Sequence, residues 1–497
     1  LREKLAKLPR HWQKRAAEKH AYLVKTASIY EANNYLLTLT EPLNHILDIA
    51  ADDDDIKTLA NDLSFKVRER MSGALGGNTM DYMQELCISY GVRYPVEFDR
   101  PQIVARLTCN VWWLRKLRHS HARAREIAAI DAGLVSRKAS IYCSDDTLER
   151  RFQQLRRNEL LLDDIELKSE SGQRMKLKDI AAAGVSNPDN RRAELMTRIS
   201  GFEELATMYG HKAEFITVTC PSHMHPVTKD GKANPKFDNN NPVRPDAAQR
   251  YLVECWARVR AKLAREEVRF YGLRVAEPHH DATPHWHLIL FYKPLKNQLE
   301  KIRAAFREHF LADAKELTGQ DKADRLKNGL KFVSINPLKG SAAGYVAKYV
   351  AKNIGGIEGE ASDEAGDISS EAAYKRVEAW ASTWRIRQFQ QIGGHSVTVW
   401  RELRRVEKTA AELAGNNILK AWNSAQKTAE KKASFAAFIE SMGGLNMPPR
   451  ESRICCDVDF VTKRGRYGEA INRLVRGVRE RFGMMKAENN RETWERV

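Results

Sequence analysis

The stretch EPHHDATPHWHLILFY (277–292) decides how this chain is read. Its second half, HWHLILFY (285–292), is a short apolar and aromatic run headed by a turn-rich segment, the pattern of a strand. The run before it, VRFYGLRVAE (268–277), has the same character, and only PHHDATP separates the two, so a hairpin is expected. In a strand, residues i and i+2 share a face. His285 and His287 therefore point the same way, while Trp286 packs on the opposite face. If the two strands pair, Glu277 lies beside the histidines and can be a third ligand. Two imidazoles and a carboxylate with open positions suit a divalent cation that also binds a substrate oxygen. An HxH pair alone is a weak signal, because a surface hairpin with incidental histidines contains the same residues. His279 and His280 are spare candidates in the loop.

Outward from the hairpin, EFITVTC (214–220) alternates and reads as a strand, with Phe215, Thr217 and Thr219 on one face. A Pro/Asn/Gly-rich loop (221–245) and a helix (246–267) lead into the hairpin. After it come a helix (about 296–317), a strand LKFVSINP (330–337) and a helix SAAGYVAKYVAKNI (341–354). The order β, α, β, β, α, β, α with a central hairpin predicts an α+β fold, an antiparallel sheet with packed helices. In the last helix Tyr345, Lys348, Tyr349 and Lys352 fall on one face by their spacing, and Ala343, Val346, Ala347 and Val350 on the other. Two phenols one turn apart are what ordinary amphipathic packing gives. They are also what a pair of tyrosine nucleophiles requires, provided a nearby cation helps a group whose pKa is near 10.

Residues 1–205 read as a mainly helical N-terminal region, with breaks near DDDD (52–55), GVRYP (91–95) and GVSNPDN (184–190). Within it, 100–130 reads as one basic helix that carries Trp112 and Trp113 as core anchors or as base-stacking groups. The core spans 206–356. The acidic, apolar-poor 357–375 reads as a linker or loop, and 376–497 as a helical and basic C-terminal region. The Gly-rich GALGGNTM (73–80) lacks the lysine of a phosphate loop, so an ATP motor is disfavoured.

At 497 residues the length suggests roughly three domains, and 82 basic against 65 acidic residues give +17. Such a charge points to a polyanion, nucleic acid first and an anionic membrane surface second. No apolar run of about 18 residues or more suggests a transmembrane helix, and the first residues lack the apolar core of a secretory signal. The chain opens on Leu1 rather than Met, as a fragment would. Seven scattered cysteines without a CxxC pair fit reduced thiols in a cytoplasm.

Taken together, FITVTCPSHMH (215–225), EPHHDATPHWHLILF (277–291) and GYVAKYVAKN (344–353) resemble the HUH endonucleases that start rolling-circle replication. Within these the chain is most similar to the gene-A family of phage and prophage replication endonucleases. The flanks SNPDNRRAELMTRISGFEELA (186–206) and IRQFQQIGGHSVTVWRELRR (386–405) are similar too, so the resemblance covers roughly 90–405. One departure is Ala282, where glycine is expected; it costs little if its φ stays negative.

The resemblance implies an HUH core and a metal-dependent, site-specific nickase that also rejoins strands. His285, His287 and Glu277 would hold Mg²⁺ or Mn²⁺, and imidazole ligands favour Mn²⁺. Tyr345 and Tyr349 would be the nucleophiles, with Lys348 and Lys352 as phosphate contacts. The product would be a 5′-phosphotyrosine and a free 3′-OH that primes synthesis. Single-stranded or locally melted origin DNA would be the substrate, and Arg385, Arg387, Arg404 and Arg405 plausible DNA contacts. A host helicase and polymerase would be the partners, in the bacterial cytoplasm. The rivals are an HUH relaxase or single-strand transposase, disfavoured because the tyrosines follow the histidines here, and a non-catalytic origin-binding protein.

Overall fold

A computed structural model describes residues 1–40, 50–72, 79–239, 241–336, 340–354, 369–428, 431–461, 463–471, 473–490, 492 and 494–497. Its centre is a five-stranded antiparallel sheet. The strands are β1 (Lys212–Thr219), β2 (Phe270–Pro278), β3 (Pro284–Tyr292), β4 (Leu330–Ser334) and β5 (Phe389–Ile392), in spatial order β4-β1-β3-β2-β5. The expected hairpin is β2–β3, in the middle of the sheet. Six helices matter for the site: α1 (Asn110–Asp131), α2 (Pro188–Met208), α3 (Pro245–Arg265), α4 (Gln298–Phe310), α5 (Ala342–Asn353) and α6 (Ser370–Trp384).

The hairpin residues are apolar at nearly every position because both faces of the sheet are covered. On one face Ile216, Val218, Trp286, Leu288 and Leu290 pack with Leu252, Trp256 and Val259 of α3 and Phe306 and Phe310 of α4. On the other, Phe215, Leu273, Val275, Ile289 and Phe291 pack with Ile199 and Phe202 of α2 and Val346 and Val350 of α5. Period-2 alternation thus separates two cores, and Trp286 lies opposite the histidines as expected. Its indole N–H donates to Gln249 at 2.9 Å and its ring carries the Arg274 guanidinium at 4.2 Å. Gly272 lets β2 lie flush on β3: at φ +154°, a Cβ there would meet the Ile289 carbonyl oxygen at 1.8 Å.

The N-terminal region is mainly helical, and the acidic run starts a helix. Asp52 caps Asp53–Met71 in a reciprocal box with Asp55, and the acids complement the positive end of the helix dipole. Trp112 and Trp113 are buried in a core of their own, which removes them as base-stacking groups. The single helix expected over 100–130 is two, Arg100–Leu107 and α1. The Trp113 indole donates to the Leu107 carbonyl at 2.7 Å, taking an acceptor at the end of the first helix. A small hairpin, Glu166–Ser169 with Arg174–Lys176, was not anticipated.

Downstream, four other expectations need correction. The helix over 296–317 ends at Phe310, and a further helix follows at Gly319–Asn328. Its buried Arg325 holds Asp313 and the carbonyls of Phe310 and Thr219. The strand over 330–337 stops at Ser334. The acidic stretch 355–368 lies outside the described residues, but α6 begins at Ser370, inside the span read as linker. The C-terminal tail is not helical throughout: Ile454–Asp459, Leu474–Glu480 and Lys486–Glu488 form a three-stranded sheet. A register shift between Val475 and Gly477 interrupts the alternation that would have revealed a strand there. Most of the Gly-rich stretch 73–80 is outside the described residues. Among the described residues no helix is long and apolar enough to cross a membrane, and all seven cysteines are free thiols.

Candidate metal centre and its tyrosine helix

Strand register builds the site. Glu277 pairs with His285 across β2–β3, and Thr217 pairs with His287 across β1–β3. All four side chains therefore share the α2/α5 face, at the end of the sheet where the hairpin turns. The two imidazole Nε2 atoms lie 3.0 Å apart, and His287 Nε2 lies 4.0 Å from a Glu277 carboxylate oxygen. One ligand atom from each residue falls within 4.8 Å of the other two, and all three residues are buried. Ligands about 2.1 Å from a metal sit roughly 3 Å apart when cis and 4 Å when trans, so this set has the size and donor chemistry of a divalent-cation site.

The hydrogen bonds around the triad fix its aim. Thr217 Oγ1 lies 3.1 Å from His287 Nδ1. With Nδ1–H donating to the hydroxyl, Nε2 is left with its lone pair toward the carboxylate, the arrangement that metal-binding histidines use. Thr217 was legible only as a strand residue. Its partner became visible once register was known.

The connecting loop is held at several points. His279 N–H donates to Thr283 O at 2.7 Å, and Thr283 N–H donates to Asp281 at 3.0 Å. Asp281 is fully buried against His225 Nδ1 at 2.9 Å. Burial alone would push its carboxyl up, but His225, aided by His280 and His279, outweighs that and holds it well below the usual range. From α6, the Trp380 indole donates to the Ala282 carbonyl at 2.8 Å. Ala282 itself has φ +71°, so the condition under which it replaces glycine cheaply does not hold. A left-handed alanine costs about 1–2 kcal/mol, offset here by its burial and these bonds. His225, Asp281 and Trp380 support the site through contacts that no local sequence pattern reveals.

Helix α5 packs on the same face. Val346 and Val350 are buried, as their spacing predicts. The Tyr349 ring sits 4.2 Å from the His287 ring and stacks on Phe215 at 5.5 Å. Tyr345, one turn earlier, is 39% exposed and lies 6.0 Å from Phe215. Both tyrosines are thus on the same side of the sheet as the triad, with Tyr349 nearer. The side chains of Lys348 and Lys352 lie outside the described residues.

The four arginines are not gathered at this centre. All are exposed. Arg385 lines a cleft against α1, whereas Arg404 and Arg405 line another concavity beside α2, where Arg405 pairs with Glu402 at 2.5 Å. Arg387 lines neither, and its carbonyl accepts from Arg274 at 2.8 Å.

The match to a known family takes in β1–β4 and α1–α5 and ends before α6 and β5. Residues 94–357 match the family model described as bacteriophage replication gene A protein. The chain is 39% identical over 379 residues to the replication gene A protein of Escherichia phage 186, covering 76% of this chain and 53% of that protein. It is 36% identical over 430 residues to the replication protein of Haemophilus phage HP1, covering 83% and 52%. It is 35% identical over 390 residues to a probable replication endonuclease from a prophage-like region of Salmonella typhi, covering 76% and 47%. The chain therefore spans about half the length of the curated relatives it matches. No solved structure matches it. With just over half of its length inside the family model, the chain belongs to the bacteriophage replication gene A protein family.

Proposed function

We propose that this chain carries the nicking and joining centre of a rolling-circle replication initiator with an HUH core, acting on single-stranded or locally melted origin DNA. The observation that carries the reading is the Tyr349 ring 4.2 Å from His287, whose Nε2 faces His285 Nε2 at 3.0 Å. A nucleophile-bearing helix beside a buried two-histidine, one-carboxylate set is an arrangement for phosphoryl transfer. The names of the prophage relatives, replication endonucleases, favour the same chemistry.

His285, His287 and Glu277 would hold Mg²⁺ or Mn²⁺, which when bound polarises the scissile phosphate and offsets its growing charge. The protein's own groups do the rest. Tyr349 is the first nucleophile: its phenol gives up a proton, a bond forms between its oxygen and phosphorus, and the bond from phosphorus to the 3′ oxygen breaks. That oxygen takes up a proton and becomes the primer end, while the 5′-phosphate stays on the tyrosine. Tyr345, one turn away, attacks the regenerated origin in the second transfer. The new 3′-OH then displaces Tyr349 and closes the released strand. Lys348 and Lys352 are phosphate contacts, and Arg385, Arg387, Arg404 and Arg405 contact flanking DNA. Strand separation and synthesis fall to a host helicase and polymerase, in the bacterial cytoplasm.

The test is denaturing electrophoresis after mixing the protein with an end-labelled single-stranded origin oligonucleotide and Mn²⁺. A covalent adduct that EDTA and His287→Ala each prevent is the expected result. Binding that vanishes on denaturation, with no adduct under any metal, would overturn the reading in favour of a non-catalytic origin-binding protein.

A further inference from the structure

A second basic feature lies away from the metal centre. Positions 112, 115, 116, 119, 120, 123, 124 and 127 of α1 form one face of the helix and floor a cavity of about 770 Å³. Its walls are the segment 91–98, Arg385 just past the end of α6, and Tyr467 with Glu469 from the C-terminal region. Six cations (Arg93, Arg106, Arg115, Lys116, Arg123 and Arg385) line it against two carboxylates, Glu97 and Glu469.

Not all six serve the fold. Arg106 is buried, lies 3.5 Å from the Phe98 ring and 4.9 Å from that of Tyr467, and meets Glu469 at 3.6 Å; it is a structural pin. Arg123 pairs with Asp246 at 2.6 Å. Arg115, Lys116 and Arg385 have no carboxylate within ion-pair distance among the described residues. Aromatic rings flank two of the cations: Lys116 lies over Trp112 at 5.4 Å, and Arg123, besides its ion pair, over Trp384 at 5.5 Å. The crowding leaves a mark on His119, whose Nε2 is buried without a hydrogen-bond partner. Burial first, then Arg385, Arg123 and Lys116, bring its pKa down to about 4. Like charges held together in a concavity at the fold's expense indicate an anionic ligand that relieves them.

We propose that this cleft binds the phosphodiester backbone of single-stranded DNA, as a second contact for the strand engaged at the metal centre. A duplex is read by a helix or ribbon that protrudes into its groove, whereas a cleft receives a strand that enters it. The aromatic rings here are buried or occupied by cations, so recognition is of phosphate and not of base identity. Helix α6 ties the cleft to the metal centre: Trp380 holds the hairpin loop, and Arg385 follows about 7–8 Å further along the axis. The tyrosine helix packs on one face of the sheet and the end of α1 in the core of the other. A strand spanning both would pass around the loop 279–283. The "second contact" clause rests on the proposed nuclease reading, but the binding does not.

The experiment uses the full chain in EDTA, with a fluorescent single-stranded oligonucleotide, measuring affinity across salt concentrations. Each lost phosphate contact lowers the slope of log K against log salt by about 0.7. Arg115→Ala/Lys116→Ala should therefore lower it by about 1.4 and weaken binding roughly tenfold or more at low salt. Arg115→Lys/Lys116→Arg should keep the wild-type slope. An unchanged slope and affinity in the double alanine variant, with an unchanged melting temperature, overturns the proposal. So does an equal loss on duplex of the same sequence, which would make the cleft a general duplex or polyanion surface. The two readings separate cleanly: no adduct from the wild-type chain, with the slope change still present in its double alanine variant, loses the nuclease reading alone. Adduct formation with an unchanged slope loses the cleft alone.

Discussion

The hairpin β2–β3 and the helix α5 meet at one place but are built differently. Every residue from Pro284 to Tyr292 is buried, and the triad side chains are fixed by cross-strand register, by Thr217 and by the anchored loop. On α5, by contrast, Val346 and Val350 are buried in the core, while Tyr345 is 39% exposed and Tyr349 half-buried. Under the proposed mechanism this difference is a division of labour. Groups that would converge on a cation at about 2 Å gain from a rigid scaffold, and tyrosines that would take turns at a phosphate need room to reach it.

Breaking the scaffold side should have the largest effect. His287→Ala removes the imidazole nearest Tyr349, and nicking of a single-stranded oligonucleotide should fall on the order of 10³-fold or more, the equivalent of several kcal/mol of transition-state stabilisation. DNA binding in EDTA should stay close to wild type. A variant that nicks within a few fold of wild type would place the metal elsewhere.

The helix side should break unevenly. Tyr349→Phe should cut first-strand cleavage roughly tenfold or more, an amount read from initial adduct yield. Tyr345→Phe should spare that step and impair circle release instead, and the double variant should form no adduct. If Tyr345→Phe alone abolishes the first cleavage, the order proposed from proximity to His287 is reversed.

Thr217→Val sharpens the comparison more gently. It keeps the shape and removes the hydroxyl that faces His287 Nδ1. The concentration of Mn²⁺ giving half-maximal cleavage should rise about 10–100-fold, with the maximal rate at saturating metal nearly kept. An unchanged metal dependence would mean that register alone aims the imidazole.

The smallest effect lies far from both regions, at His119. Its pKa of about 4 lies below the ordinary 6.5, so the fold favours the neutral ring. The charged groups facing it are Lys116 and Arg123 on its own helix, Arg385 after α6, and Asp246 at the start of α3. A lowered histidine pKa contributes stability that is full above pH 6.5 and is lost as pH falls from there through 4. Imidazole NMR titration of the free protein should give that low value, and phosphate oligomers should raise it. A free-protein value near 6.5 would contradict the crowding of cations.

The hairpin, its neighbour β1 and the convergence of Glu277, His285 and His287 were legible because period-2 alternation is a local property, and one turn fixes which strands pair; β5, on the other side of the hairpin, was not, because its four residues lie in the stretch assigned to the C-terminal region. The tyrosine helix was legible for the same reason at period 3.6. What escaped is what depends on distant partners. Trp380 reaches Ala282 across 98 residues of chain, and His225 reaches Asp281 across 56. The positive φ of Ala282 needs those partners to be tolerated, so no local rule anticipates it. The C-terminal sheet was hidden by dense basic residues and by the register shift at Gly477. The cleft beside α1 combines residues from 91–98, 385 and 467–469, which the fold alone brings together.

In the proposed mechanism a tyrosine of α5 becomes covalently joined to DNA beside the triad. Digesting the trapped adduct and sequencing the modified peptide by mass spectrometry tests it directly. The expected result is a nucleotide on Tyr349, or on Tyr345 after the second transfer, in a reaction that needs a divalent cation and is lost in His287→Ala. A modified residue outside 342–353, or an adduct that forms undiminished in EDTA, would contradict it.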